Sequence, residues 1–200
     1  MLKTTVRAAA ALLILTLGAA PEFAQGGAGG GGGGGGPPRG FNLPPLLMQT
    51  DAFPDGGIVP PKYVGPMGVQ PGFTFTGAPD TTQTYAIIFH DMDVSIGNGT
   101  GDVLHWMAWN IPASAKGIPE GKLPEGSVNG NNMRGQPGYM GPGAPAGVRY
   151  HHYVFELYAL NTKLDLPATA TRDQLLAAMQ GKIVAKAAYV GRFHQEPPKQ

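Results

Sequence analysis

Between Phe41 and Pro145, glycine and proline recur so densely that the apolar runs left between them are of strand length. The whole chain carries 32 glycines and 20 prolines in 200 residues, and this texture predicts a mainly β domain of antiparallel strands joined by long loops. "GFTFTG" from Gly72 and "TYAIIFHD" from Thr84 read as successive strands. The second is apolar on both faces, which places it centrally in its sheet. Strict alternation through "VLHWMAWNI", Val103 to Ile111, sets His105, Met107, Trp109 and Ile111 on one face and Leu104, Trp106, Ala108 and Asn110 on the other. In "YHHYVFELYAL", Tyr150 to Leu160, it sets His151, Tyr153, Phe155, Leu157 and Ala159 together. That face is uncharged beyond its leading histidine, so it should point inward with His151 at the rim, while His152 points across the sheet.

Near the C-terminus one helix is expected. Thr171 and Gln174 fit a capping box, Asp173 suits the first turn, Leu175, Leu176, Ala178 and Met179 form an apolar stripe, and Gly181 is placed to stop it. "IVAKAAYVGRF" from Ile183 to Phe193 can be read as a short helix leading into a strand.

A hydrophobic fraction of 42% supports one ordinary core with appendages. Residues 1–24 read as a signal peptide: Lys3 and Arg7 precede "AAAALLILTLGAA", an uncharged stretch too short to anchor the chain stably in a bilayer. An exported protein, periplasmic or secreted, is therefore expected, with no stable membrane insertion of the mature chain. With no cysteine, neither a disulfide nor a lipid-bearing thiol is available. Residues 25–40 form a flexible linker whose stretch 26–36 is ten glycines and one alanine. The folded domain is placed at 41–194, with a polar tail at 195–200. Loss of Lys3, Arg7 and Glu22 with the signal leaves 12 basic and 12 acidic side chains, a balance that argues against a nucleic-acid partner.

Asp91 and Asp93 close the strand from Thr84, and His105 opens the next apolar run. Several chemistries fit. Asp91, His105 and His151 could supply a two-histidine, one-carboxylate set for a transition metal. Paired carboxylates could act as acid and base in glycoside hydrolysis. Against both, aspartates after a strand commonly cap turns, and single histidines commonly sit at rims with a satisfied hydrogen bond. No cysteine and no G-x-S-x-G supports a nucleophile, and the glycine run is no phosphate loop, since no Gly-Lys-Ser/Thr ends it.

Four segments occur in order: "HDMDV" at 90–94, "LHWMAWNIP" at 104–112, "GYMGPGAPAG" at 138–147 and "HHYVFELYAL" at 151–160. Together they resemble the phosphatidylethanolamine-binding protein family, also called the Raf kinase inhibitor protein family, particularly its bacterial branch; the likeness runs from about Gly72 to Phe193. The resemblance implies a large antiparallel sheet packed on a smaller one, one or two short C-terminal helices, and a small anion pocket. It places ligand-binding roles on Asp91, Asp93, His105, Gly141, Pro142, His151 and Tyr153. Histidine N–H groups, the tyrosine hydroxyl and a backbone N–H at Gly141 would donate to phosphate or carboxylate oxygens, and the aspartates would favour imidazolium at His105. No metal and no cofactor is required. Met92 and Val94 stand where the family carries prolines, leaving the first loop free to open.

These features point to a non-catalytic, exported binder of a small anion, monomeric or homodimeric. Alternatives are an inhibitor or regulator of an extracytoplasmic protein partner such as a protease, and a metal-dependent hydrolase using the same pocket.

Overall fold

A computed structural model describes residues 46–197. The signal expected over 1–24, the linker over 25–40, the first residues of the domain and residues 198–200 of the tail lie outside the described residues.

Nine strands and one α-helix occur in order: β1 (Leu47–Gln49), β2 (Gly57–Ile58), β3 (Phe73–Thr76), β4 (Thr84–Ile96), β5 (Gly101–Pro112), β6 (Gly117–Ile118), β7 (Val128–Asn129), β8 (His151–Leu160), α1 (Arg172–Met179) and β9 (Ile183–Phe193). They make a six-stranded sheet, β2-β9-β8-β4-β5-β7, and a three-stranded sheet, β1-β3-β6. The large sheet is antiparallel except at its edge, where β2 runs parallel to β9.

The double-sided apolar run in β4 explains the layers. Tyr85, Ile87 and Phe89 pack with Met48, Phe73 and Phe75 of the small sheet, whereas Ala86 and Ile88 pack with Leu175 and Met179 of α1. The large sheet is thus sandwiched, and β4 lies at its centre as its composition predicts. Phe89 and Phe155 stack across β4 and β8 at 3.9 Å between ring centroids. Exposing faces of this kind to water would forfeit about 2 kcal/mol per large side chain.

The capping box is present: the Gln174 N–H donates to Thr171 Oγ1 at 3.2 Å and the Thr171 N–H donates to Gln174 Oε1 at 2.8 Å. Leu175 and Met179 face the sheet, while Leu176, expected in the stripe, turns outward. There is one α-helix among the described residues. From Ile183 to Phe193 the chain is strand throughout, because it ladders against β8 from Leu160 back to His151.

β8 keeps the predicted alternation; β5 does not. Phe89 pairs with Trp106 but His90 with Leu104, so His105 is an extra residue in β5. A second slip separates Ile87, paired with Ala108, from Tyr85, paired with Ile111. Asn110 absorbs it at φ 56°, its amide donating to the Leu164 carbonyl at 2.9 Å and its oxygen accepting from the Leu164 N–H at 2.8 Å. Each bulge reverses the facing of the residues beyond it. Trp106, Ala108 and Ile111 therefore share the small-sheet side, and Met107 and Trp109 the helix side, contrary to simple alternation. His105 remains on the small-sheet side, next to Phe89 and Tyr153.

Met92 and Val94 have a different effect from the open loop that missing prolines suggested. Both lie within β4, which runs on to Ile96; its pairing with β5 is interrupted after Asp91, where Met92 to Ser95 stand opposite Asp102 alone, and resumes where Ile96 pairs with Gly101.

Candidate functional site

Asp91 on β4, His105 on β5, and His151 and Tyr153 on β8 meet at one end of the large sheet. They line a cavity of about 310 Å³ together with Gly65, Pro66 and parts of the loop before β8, among them Met133, Arg134, Met140 and Gly141. Adjacency comes from the register: Asp91 pairs directly with Tyr153, and the bulge swings His105 toward both.

The polar atoms are tightly organised. His105 Nδ1 donates to the Met140 carbonyl at 2.8 Å, and His151 Nδ1 donates to Asp91 Oδ2 at 2.8 Å. The hydroxyl oxygen of Tyr153 accepts the N–H groups of Gly143 at 3.2 Å and Ala144 at 3.0 Å. Burial pushes the Tyr153 pKa far up, reinforced by the neighbouring Asp91, so the phenol stays protonated. At His105 burial also dominates and lowers the pKa, although the Met140 carbonyl and Asp91 pull the other way. The expected bias toward imidazolium at His105 is thereby reversed: desolvation of a ring only 5% exposed outweighs the adjacent carboxylate.

Gly141 lines the cavity, but its N–H donates to the Gly65 carbonyl at 2.9 Å and is not offered to a ligand. A side chain there would strike the Tyr63 carbonyl, so the glycine serves close backbone packing. Pro142 does not line the cavity; its carbonyl accepts the Gly65 N–H at 2.8 Å. Asp93 is also absent from the lining. Its carboxylate accepts from Arg149 Nη2 at 2.8 Å, from the His152 N–H at 2.6 Å and from His152 Nδ1 at 2.9 Å. Although partial burial opposes ionisation, these donors from His152 and Arg149 hold the Asp93 pKa at about 2. Asp93 thus fastens the end of β4 to the approach to β8, beside the pocket.

A family model described as phosphatidylethanolamine-binding protein matches residues 49–194. The chain belongs to the phosphatidylethanolamine-binding protein family. A UPF0098 protein of Methanothermobacter thermautotrophicus is 36% identical over 154 residues, covering 74% of this chain and 98% of the relative. LppC of Mycobacterium tuberculosis, named as a lipoprotein, is 32% identical over 150 residues, covering 74% of this chain and 72% of its own. Among solved structures, a phosphatidylethanolamine-binding protein homolog from Chlamydia trachomatis superposes with a TM-score of 0.68 at 30% identity, covering 76% of this chain and 98% of the other. The two-sheet architecture is accordingly that of phosphatidylethanolamine-binding proteins.

In this member of the phosphatidylethanolamine-binding protein family, sequence reasoning missed Arg134, Met133, Met140, Val94 and Val103, all of which line the cavity. Arg134 is the one cationic side chain of the lining outside the histidines. It sits in a loop held by the Arg134 N–H donating to Asn132 Oδ1 at 2.9 Å and the Met133 N–H donating to the Leu104 carbonyl at 2.9 Å. Only the polar run "NGNNMRGQ" flags this segment as a loop.

A second histidine cluster lies on the opposite face of β4. His90 Nδ1 is 2.6 Å from Asp102 Oδ2, its Nε2 is 3.5 Å from Glu156 Oε2, and Arg172 at the start of α1 ion-pairs with Asp102. Burial works against a charged His90, but Glu156 and Asp102 outweigh it and raise the pKa. His90 in turn lowers the pKa of Glu156. His90 does not line the cavity that holds Asp91 and His105.

Proposed function

We propose that this protein binds a small anion, a phosphoryl headgroup or a carboxylate, without transforming it, and does so outside the cytoplasm. The observation that carries the reading is the convergence of His105, His151, Tyr153 and Asp91 from three adjacent strands on one cavity, with Arg134 in the same lining. Two imidazoles and a guanidinium around about 310 Å³ suit a small oxyanion and leave room for a short apolar substituent against Met133 and Val94. A larger depression of about 480 Å³ beside the small sheet offers less, since its Glu120 is bound to Lys62 and Tyr63.

Absence of catalysis is supported by the state of the candidate groups. The Tyr153 oxygen accepts two N–H groups, and its raised pKa disfavours a phenolate nucleophile. Among the described residues, no three histidine, aspartate or glutamate side chains are placed to share a metal ion, which weighs against a metal-dependent hydrolase. Export rests on the reading of residues 1–24 and accords with a relative named as a lipoprotein, although this chain has no cysteine to carry a lipid. No helix among the described residues is long and apolar enough to cross a membrane.

Thermal unfolding near pH 6 with inorganic phosphate, phosphorylethanolamine and short carboxylates tests the reading. The melting temperature should rise with at least one of them, and His105→Ala and His151→Ala should abolish the rise. A flat response across that panel would refute the proposal.

A further inference from the structure

The cavity presents acceptors where a bare anion needs donors. A carbonyl can only accept, so the bond from His105 to Met140 puts a proton on Nδ1, and the neutral ring then carries a lone pair at Nε2. His151 Nδ1 likewise donates to Asp91 Oδ2, which leaves Nε2 as its one uncommitted ring nitrogen. Neither Nε2 has a hydrogen-bond partner among the described residues, and both rings line the cavity.

Backbone donors do not compensate. The N–H of Gly141 is bound to the Gly65 carbonyl, those of Gly143 and Ala144 to the Tyr153 oxygen, and Pro142 has none. Having accepted two bonds, the Tyr153 hydroxyl keeps its own proton beside Asp91, whose charge helps raise its pKa. The groups facing His105 are Asp91 from β4, His151 and Tyr153 from β8, Arg134 and the carbonyls of Met140 and Gly141 from the connecting loop, and His90 from the far side of β4. Burial holds His105 uncharged among them. An unprotonated oxyanion set against His105 would meet the Nε2 lone pair of a buried, uncharged ring beside the Asp91 carboxylate, with Arg134 the one guanidinium of the lining.

We propose that the cavity accepts an oxyanion only together with a proton, held between a ligand oxygen and Nε2 of His105, so that an oxyanion arriving fully ionised withdraws one proton from solvent at neutral or higher pH, whereas one that still carries an O–H brings its own. No bond to phosphorus or carbon changes; an N–H···O bond forms where two acceptors would otherwise face each other. Rings hydrogen-bonded at Nδ1 thereby become a selection device: oxyanions basic enough to share a proton are favoured over those that are not. This inference rests on the anion-binding reading above.

Calorimetric titration of the protein with methyl phosphate at about pH 8, where its dianion carries no O–H, in two buffers of widely different ionisation enthalpy, reads the proton directly. The expected result is uptake of about one proton per methyl phosphate bound, with affinity falling about tenfold per pH unit between pH 7.5 and 8.5. In His105→Gln, whose side-chain amide is a fixed donor, uptake should disappear and the pH dependence flatten. Methyl phosphate binding with no proton uptake and a constant affinity would overturn the inference while leaving the anion reading in place. Uptake unchanged in His105→Gln would overturn the assignment to His105. Absence of methyl phosphate binding from pH 5.5 to 8.5 would refute this inference, and the anion reading itself falls only if the thermal panel is flat as well.

Discussion

His90 and Asp91 are neighbours on β4, yet they open onto opposite faces of the sheet and into clusters built on opposite rules. Around His90, two carboxylates and Arg172 surround one imidazole, so that a protonated ring makes the group neutral and raises its own pKa. Around Asp91, one carboxylate serves two imidazoles and a phenol, burial wins at His105, and a cavity remains. The same residue types on one strand thus give a closed clamp and an open site. What separates them is the count of opposite charges within reach and whether space is left for one more molecule.

The strongest way to break the contrast is to remove the clamp's central acceptor. Asp102→Ala leaves His90 and Arg172 facing each other without the carboxylate between them, and should lower stability in urea by about 2 kcal/mol while preserving any phosphate-induced thermal shift. His105→Ala should do the reverse, abolishing the shift at a smaller loss of stability. If Asp102→Ala erased ligand response in a protein that remained folded, the two faces would not be independent.

Next in size is Asp93, which stands beside the pocket without entering it. Its folded pKa of about 2 lies below the ordinary 3.8, so its stabilisation is complete above the unfolded value and is lost as pH falls toward 2. Asp93→Asn should cost about 1–2 kcal/mol at pH 7 and converge on the wild type near pH 2, as read by denaturant midpoints.

A smaller effect separates the histidines by pH. Because the His90 pKa is raised, its contribution is full below about pH 6.5, the unfolded value, and fades as pH rises through the folded one. The stability advantage of wild type over His90→Ala should therefore shrink between pH 6 and pH 9; a constant gap would remove the clamp's protonation from the account. Smallest of all, Arg134→Ala should leave stability within about 0.5 kcal/mol and weaken phosphate binding by about 3–10-fold.

Much of this was legible in the sequence, for physical reasons that differ by element. β4 and β8 could be phased because charged or polar residues bound their apolar faces, and α1 because Thr171, Asp173 and Gln174 mark its start. β5 misled because Trp106, Met107, Ala108 and Trp109 are all apolar, so a slip of one residue leaves no trace in the pattern. In the site, Asp91, His105, His151 and Tyr153 were foreseeable from ordered motifs, and the cavity contains them all. The commitments of Gly141 to Gly65 and of Asp93 to Arg149 and His152 were not, since they depend on which backbone and side-chain partners arrive across long loops. Arg134 escaped because a loop has no period from which to place a side chain.

The two slips in β5 also bear on how this fold can vary in length. Trp106 to Trp109 form a frame of four residues pinned at both ends, by the displaced His105 and by Asn110 clasping Leu164. Dropping or adding one residue inside it would exchange indoles and methionine between the two layers, so the frame can change by substitution but not by length. Natural or engineered insertions should instead collect in the exposed hairpin at Gly97–Thr100, where a longer tip alters the pocket's surroundings without disturbing the strand that carries His105.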